Sequence, residues 1–222
     1  MIVENNKVCV LVSGGLDSAV LLSLMAQRFK EVYPVYVLCG LFWEKAELYW
    51  LKKFLKKILF SNLHPLKILQ IPVHNFYENH WSLTGKNVPD AKSQDKEVYL
   101  PGRNLLLLSQ AATYCALEKI KNVALGILKS NPFPDSQPAF FSSFEKAGSL
   151  AFKTPFHVLT PLSRMTKSEL VKKGKDLPLE WTFSCLRPKG YQPCRNCNKC
   201  EERRNVMSVS ENPFLAKNRS NL

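Results

Sequence analysis

The sequence predicts an α/β fold with a doubly wound parallel sheet and a small C-terminal cysteine-bearing subdomain. Three observations lead there. Short apolar runs alternate with helical patterns along the chain, as strand–helix–strand units around a parallel sheet require. A glycine turn, Ser13-Gly14-Gly15, stands between the first apolar run and the first helical pattern, where open parallel sheets gather ligands. Four of the seven cysteines crowd between positions 185 and 200. The expected division is an α/β body over 1–180, a cysteine segment packed on it over 181–210, and a frayed tail over 211–222.

The elements follow in order. "KVCVLV" reads as a buried first strand, with Ser18 to Phe29 as the helix behind it. "VYPVYVLC" is a second strand. Glu44 to Phe60 is an amphipathic helix, with Leu48, Leu51, Leu55 and Ile58 on one stripe and Lys52, Lys53, Lys56 and Lys57 on the other face. "LKILQIPV" is a third strand, and the polar, irregular stretch from His74 to Val98 is a loop over an open site. Arg103 to Lys119 is helical, "NVALGIL" a fourth strand, Pro138 to Leu150 a helix and "FHVLTPL" a short fifth strand. Thr166-Lys167-Ser168-Glu169 has capping-box spacing and opens a helix to about Gly174. No internal repeat or low-complexity tract interrupts this order.

Composition narrows the function classes. Of 222 residues, 45% are hydrophobic and 22% charged, the balance of a soluble domain with one core. No apolar run reaches the roughly 18 to 20 residues of a membrane span. The N-terminus "MIVENNKVCVLV" lacks a basic segment and a small-residue cleavage site, so a cytoplasmic location is expected, with no membrane partner. The formal charge is +13. Four zinc-bound thiolates would lower it by about two, and the remainder favours an anionic ligand, nucleotide or nucleic acid.

The glycine turn excludes two common readings. "SGGLDS" lacks the lysine of the G-x-x-x-x-G-K-[ST] loop and the third glycine of the dinucleotide turn. It still offers glycines that let backbone N–H groups approach an anion at a helix N-terminus. The cysteines are spaced C-x8-C-x2-C-x2-C: Cys185, Cys194, Cys197 and Cys200. That set suits closed tetrahedral zinc, with no open position for a catalytic water. An iron–sulfur cluster uses the same ligands and stays open at this point. Cys9, Cys39 and Cys115 stand singly in apolar surroundings and read as buried packing residues. His64, His74, His80 and His157 show no paired spacing, so surface or packing roles are expected. Trp43, Trp50 and Trp81 read as core or lid residues, with a base-stacking face as the alternative.

"SGGLDS" resembles the pyrophosphate loop of the N-type ATP pyrophosphatases. Joined to the cysteine cluster, the order of features resembles the 7-cyano-7-deazaguanine synthase family, QueC or ExsB, over about residues 7 to 206. The matching segments are Ser13 to Ser18, Pro101-Gly102-Arg103-Asn104, Pro134-Asp135, Lys167-Ser168-Glu169, and Thr182-Phe183-Ser184-Cys185 through Arg203. The resemblance implies a Rossmann-like, adenine nucleotide alpha hydrolase-like fold. It also implies conversion of 7-carboxy-7-deazaguanine and ammonia to the nitrile, through activation by ATP. On this reading ATP is held by Val12, Ser13, Gly14, Gly15, Leu16, Asp17, Ser18, Ala19 and Val20. Asp17 stands near magnesium, and Asp17, Arg103 and Lys167 serve the chemistry. Asn104, Gly126 and Asp135 line the acceptor pocket, and zinc is structural. A homodimer is compatible with the resemblance; a nucleic-acid partner is possible but not required.

The chain departs from the family pattern in three places, one being the family's acidic residue upstream of its P-D element, which is not evident in "GILKSN". After the second strand the family's tyrosine-glycine-glutamine is reduced to Gly40 within "LCGLFWEKAEL". The family's G-Y-P-D-C-R-x-E-F becomes "NPFPDSQPAF", with Phe133 for the tyrosine, Gln137 near the arginine and Ala139 at the glutamate. Two alternatives are therefore carried: an adenylating enzyme with another acceptor, such as a tRNA base or deazaguanine conjugate, and a zinc-stabilised nucleic-acid-binding module.

Overall fold

The computed structural model describes residues 6–207; the expected tail over 211–222 lies outside the described residues. Five strands form one sheet: β1 (Lys7–Leu11), β2 (Glu31–Leu38), β3 (Lys67–Gln70), β4 (Asn122–Ala124) and β5 (His157–Leu159). Their spatial order is β3-β2-β1-β4-β5, and every neighbouring pair is parallel. The chain first winds outward from β1 to β3, then returns to place β4 on the other side of β1. The crevice between the carboxyl ends of β1 and β4 is thus the topological switch point.

Alternation along β1 decides which layer each residue serves. Cys9 and Leu11 join an apolar cluster with Leu108, Ala111, Ala112 and Cys115 of α5 (Arg103–Leu117) and Phe141 of α6 (Pro138–Phe152). Val8 and Val10 face the opposite layer, with Leu21, Leu22 and Met25 of α1 (Leu16–Arg28), Phe54 of α2 (Glu44–Lys57) and Leu170 of α7 (Lys167–Lys173). Both faces of the sheet are covered, and so β1 is apolar at Val8, Cys9, Val10 and Leu11 alike.

The expected elements are present, with shifted ends. α1 begins at Leu16, because Gly15 takes the extended N-cap conformation. β4 stops at Ala124, since its partner β5 pairs over only three residues. The stretch from His74 to Val98 holds α3 (His74–Tyr77), α4 (Trp81–Thr84) and a 3-10 turn over Asp95–Val98. It is tied to the cysteine segment through an antiparallel bridge between Asp90 and Cys197 and a 3.0 Å bond from Asn198 N to Pro89 O.

Besides the short α3 and α4, read from sequence as loop, the structure adds a third helix that the sequence did not predict: α8 (Asn198–Met207). It carries no apolar stripe. What faces inward is Cys200, Met207 and Arg203, whose guanidinium donates to Thr182 Oγ1 at 2.7 Å and Leu179 O at 3.0 Å. Burial pulls the Arg203 guanidinium down to about 10.

Candidate functional site

A cavity of about 330 Å³ opens at the switch point. Its wall brings together Val12, Ser13, Gly15, Leu16, Asp17, Ser18, Arg103, Asn104, Gly126, Asp135 and Lys167, together with Cys185. Three residues of the glycine motif stand outside it. Ala19 and Val20 are buried in the core on α1, and Gly14 packs toward α2.

The loop is held by its own serines. Ser18 Oγ accepts from Gly14 N at 3.1 Å and donates to Gly15 O at 3.1 Å, while Ser13 Oγ accepts from Gly15 N at 3.3 Å. Phe183 N donates to Gly14 O at 2.8 Å and ties the loop to the strand of chain entering the cysteine segment. Gly14 has φ +81°, and a Cβ there would lie 3.1 Å from Leu51 Cβ and 3.2 Å from Glu47 O. Only glycine fits both demands. Beyond the loop, the first-turn N–H groups of α1 have no intrahelical acceptor and carry the positive end of its dipole.

Lys167 opens α7, and the capping box fixes its place: Glu169 N donates to Thr166 Oγ1 at 3.3 Å and Thr166 N to Glu169 Oε2 at 2.8 Å. From there Lys167 Nζ reaches Asp17 Oδ1 at 2.7 Å and Glu202 Oε1 at 3.1 Å. Lys199 Nζ holds the other oxygen of Glu202 at 2.8 Å. Burial penalises the charge on Lys167, but Asp17 and Glu202 outweigh it, and the net shift of its pKa is upward. Gly126 faces this array. A Cβ on it would press within 3.2 Å of Asp17 Cβ and 3.3 Å of the Asp17 carbonyl carbon.

Across the cavity, Asp135 and Asn104 serve each other. Asn104 N donates to Asp135 Oδ2 at 2.9 Å, and Asn104 Nδ2 donates to Asp135 O at 3.1 Å. Gly102, the N-cap of α5, has no side chain to cap the helix, so the Asp135 carboxylate does it from a distant segment. Burial pushes Asp135 above the usual carboxylate range despite these bonds. Arg103 keeps its Nε buried without a hydrogen-bond partner, an arrangement suited to an incoming anion.

The four thiols of Cys185, Cys194, Cys197 and Cys200 all lie within 4.8 Å of one another. Leu186 N donates to Cys197 Sγ at 3.3 Å and Cys194 N to Cys185 Sγ at 3.2 Å, as backbone N–H groups do around anionic sulfur. Four soft sulfur donors at this spacing, nearly all buried, can hold a zinc ion. Cys185, Leu186, Cys197 and Cys200 belong to the same apolar cluster as β1 and α5, so the cysteine segment forms a wall of the cavity.

Sequence reasoning missed several wall residues: Tyr36, Glu44, Glu47, Lys199 and Glu202. Glu44 and Glu47 open α2, and acidic residues there are routine partners of a helix dipole, so nothing in their spacing marked them. Trp43 and Trp81 also line the cavity and stack at 5.9 Å. Trp50 lies elsewhere, donating to Tyr191 O at 2.7 Å.

The model of the family described as "Queuosine biosynthesis protein QueC" matches residues 7–210. The chain belongs to the QueC family. Curated relatives match over most of this chain, two of them as follows. A 7-cyano-7-deazaguanine synthase of a Sulfurihydrogenibium species is 33% identical over 92% of this chain and 95% of its own. One from Leptospira interrogans is 31% identical over 89% and 84%. Among solved structures, a predicted subunit of tRNA methyltransferase from Methanocaldococcus jannaschii superposes with TM-score 0.52 at 14% identity, over 77% of this chain and 75% of that one. That likeness concerns the fold alone. Within the QueC family frame, the glycine loop, the Asp17–Lys167 pair and Cys185 of the cysteine site line one cavity. Among the described residues, no helix is long and apolar enough to cross a membrane.

Proposed function

We propose that the chain makes 7-cyano-7-deazaguanine from 7-carboxy-7-deazaguanine and ammonia, with ATP as the activating substrate. Membership of the QueC family supports the reaction, and the single structural observation that carries it is the meeting of loop, Lys167 and Arg103 in one cavity. A carboxylate is a poor electrophile, so transfer of AMP to it supplies a leaving group. Ammonia then gives an amide, and a second activation on the amide oxygen permits dehydration to the nitrile. The protein's share is positioning and charge stabilisation.

In this reading the first turn of α1 and the Ser13–Ser18 loop take the phosphates. Asp17 would hold magnesium, which would neutralise phosphate charge. Lys167, already paired with Asp17, swings to a phosphate oxygen. Arg103 takes the acceptor carboxylate or the α-phosphate, since its planar fork suits either. Cys185, Cys194, Cys197 and Cys200 would hold zinc, which would fix the wall that carries Ser184 and Cys185. A cytoplasmic location and a homodimer accompany the proposal; no nucleic acid is needed.

A second reading, an adenylating enzyme with a different acceptor, draws on Phe133. This residue lines the cavity and stacks on Tyr99 at 5.0 Å, where the family pattern has a tyrosine. One experiment separates the two. Purified protein with ATP, magnesium, ammonia and 7-carboxy-7-deazaguanine should yield the nitrile by mass spectrometry. ATP consumption that requires another acceptor would replace the first reading by the second.

A further inference from the structure

Two carboxylates from the first turn of α2 reach the cavity, and their surroundings differ. Glu44 is spent on the backbone: its oxygens accept from Cys39 N and Gly40 N, each at 2.8 Å. Glu47 has one hydrogen bond, from the Tyr36 hydroxyl at 2.7 Å, and among the described residues it enters no ion pair. Its backbone packs on the glycine loop, with Glu47 O 3.2 Å from where a Gly14 Cβ would stand. Glu47 therefore lines the same cavity as the glycine loop and Arg103 of α5, and its carboxyl feels the Arg103 charge.

We propose that Glu47 is the general base of the amidation step, accepting the proton that the attacking ammonia nitrogen must lose. This rests on the amidation reading above. The nitrogen lone pair forms the C–N bond at the activated carboxyl carbon, and the bond from that carbon to the AMP oxygen breaks with its electron pair. One N–H proton passes to the Glu47 carboxylate and then to solvent, leaving the neutral amide and AMP.

The groups facing Glu47 support that role. Burial pushes its carboxyl up, the Tyr36 hydroxyl on β2 and Arg103 on α5 pull it down, and neighbouring Glu44 pushes it up again. Cys39, at the end of β2, also feels the Glu47 charge. The balance stands at about 7, near the operating pH where a base is most effective. Raised above its ordinary value, the carboxyl is ionised and able to accept a proton only as pH rises through about 7.

The test compares Glu47→Gln with the full-length wild type. The variant is expected to bind a non-hydrolysable ATP analogue as the wild type does. It should form the hydroxamate when hydroxylamine replaces ammonia, because the attached hydroxylamine nitrogen is the more acidic and gives up its proton to water unaided, yet lose at least about 100-fold in amide and nitrile formation. The wild-type rate per free ammonia should show an acid limb near pH 7 that Glu47→Gln lacks. Tyr36→Phe, which removes a bond that lowers the Glu47 carboxyl, should move that limb upward. Wild-type amidation rates in Glu47→Gln, or an unchanged limb, would overturn the assignment while leaving the overall reaction in place. Failure of the wild type itself to form either hydroxamate or nitrile from 7-carboxy-7-deazaguanine would overturn the reaction and the base with it.

Discussion

Lys167 Nζ lies 2.7 Å from the carboxylate of Asp17, although 150 residues separate them in the chain. The pair joins the first turn of α1 to the first turn of α7, and Glu202 on α8 closes it at 3.1 Å. A lysine shared by two carboxylates is held in place but not neutralised, since Lys199 also compensates Glu202. Its ammonium is therefore placed beside the loop as the cation that a phosphate chain would meet. Lys167→Met should weaken a non-hydrolysable ATP analogue by about 10- to 100-fold, the value of one charge-assisted hydrogen bond. Lys173→Met, exposed at the end of the same helix, should not. Calorimetric titration decides this without an acceptor; equal affinities would remove Lys167 from the nucleotide site.

Gly14 and Gly102 both have positive φ, +81° and +70°, but only Gly14 is crowded: a Cβ on Gly102 meets nothing within 4 Å. Gly102→Ala should cost about 1–2 kcal/mol, the ordinary left-handed penalty. Gly14→Ala adds contact with Leu51 and Glu47, and should destabilise by a further 1–3 kcal/mol or so as α2 is pushed from the loop. Urea unfolding of both variants measures the difference. Equal midpoints would mean that α2 moves away freely.

The glycine motif was legible because its chemistry is local. Glycines, serines and Asp17 act within six residues, and the strand and helix around them are set by short-range apolar periodicity. The C-x-x-C turns were legible for the same reason. Glu47 and Glu202 were not, because each works through a partner on another element, Tyr36 and Lys167, and the local Lys199–Glu202 pair gives no sign by its spacing that it faces a cavity. α8 escaped because Cys200 and the hydrogen-bonded, part-buried Arg203, not an apolar stripe, fasten it. The role of Asp135 also needed the structure. Sequence placed it in an acceptor pocket; the structure puts it on the cavity wall and shows that its carboxylate also caps α5 at Asn104 N.

That cap makes a separable prediction for Asp135. Asp135→Ala leaves the first turn of α5 without an acceptor and should cost about 1–2 kcal/mol. Asp135→Asn keeps an oxygen for Asn104 N and should recover most of it. The carboxyl is raised by burial, so its contribution is largest while it is protonated and is lost as pH rises from about 4 through its raised value. Asp135→Asn should flatten that part of the curve. The check is unfolding midpoints of wild type and both variants between pH 4 and 7; an identical slope in all three would mean the carboxyl does not titrate there.

Removing the metal should disturb more than the cysteine segment. Cys185 follows Ser184 and Phe183, and Phe183 N donates to Gly14 O at 2.8 Å, so a single residue separates a sulfur ligand from a bond that fixes the loop. Structural zinc contributes folding energy. Chelation, or Cys197→Ser, should therefore lower the thermal midpoint and weaken the ATP analogue together, with affinity restored on adding zinc. Elemental analysis should find about one zinc per chain, whereas an iron–sulfur cluster would give iron and visible absorbance. A chelated chain with full nucleotide affinity would show that Phe183 holds the loop without help from the cysteines.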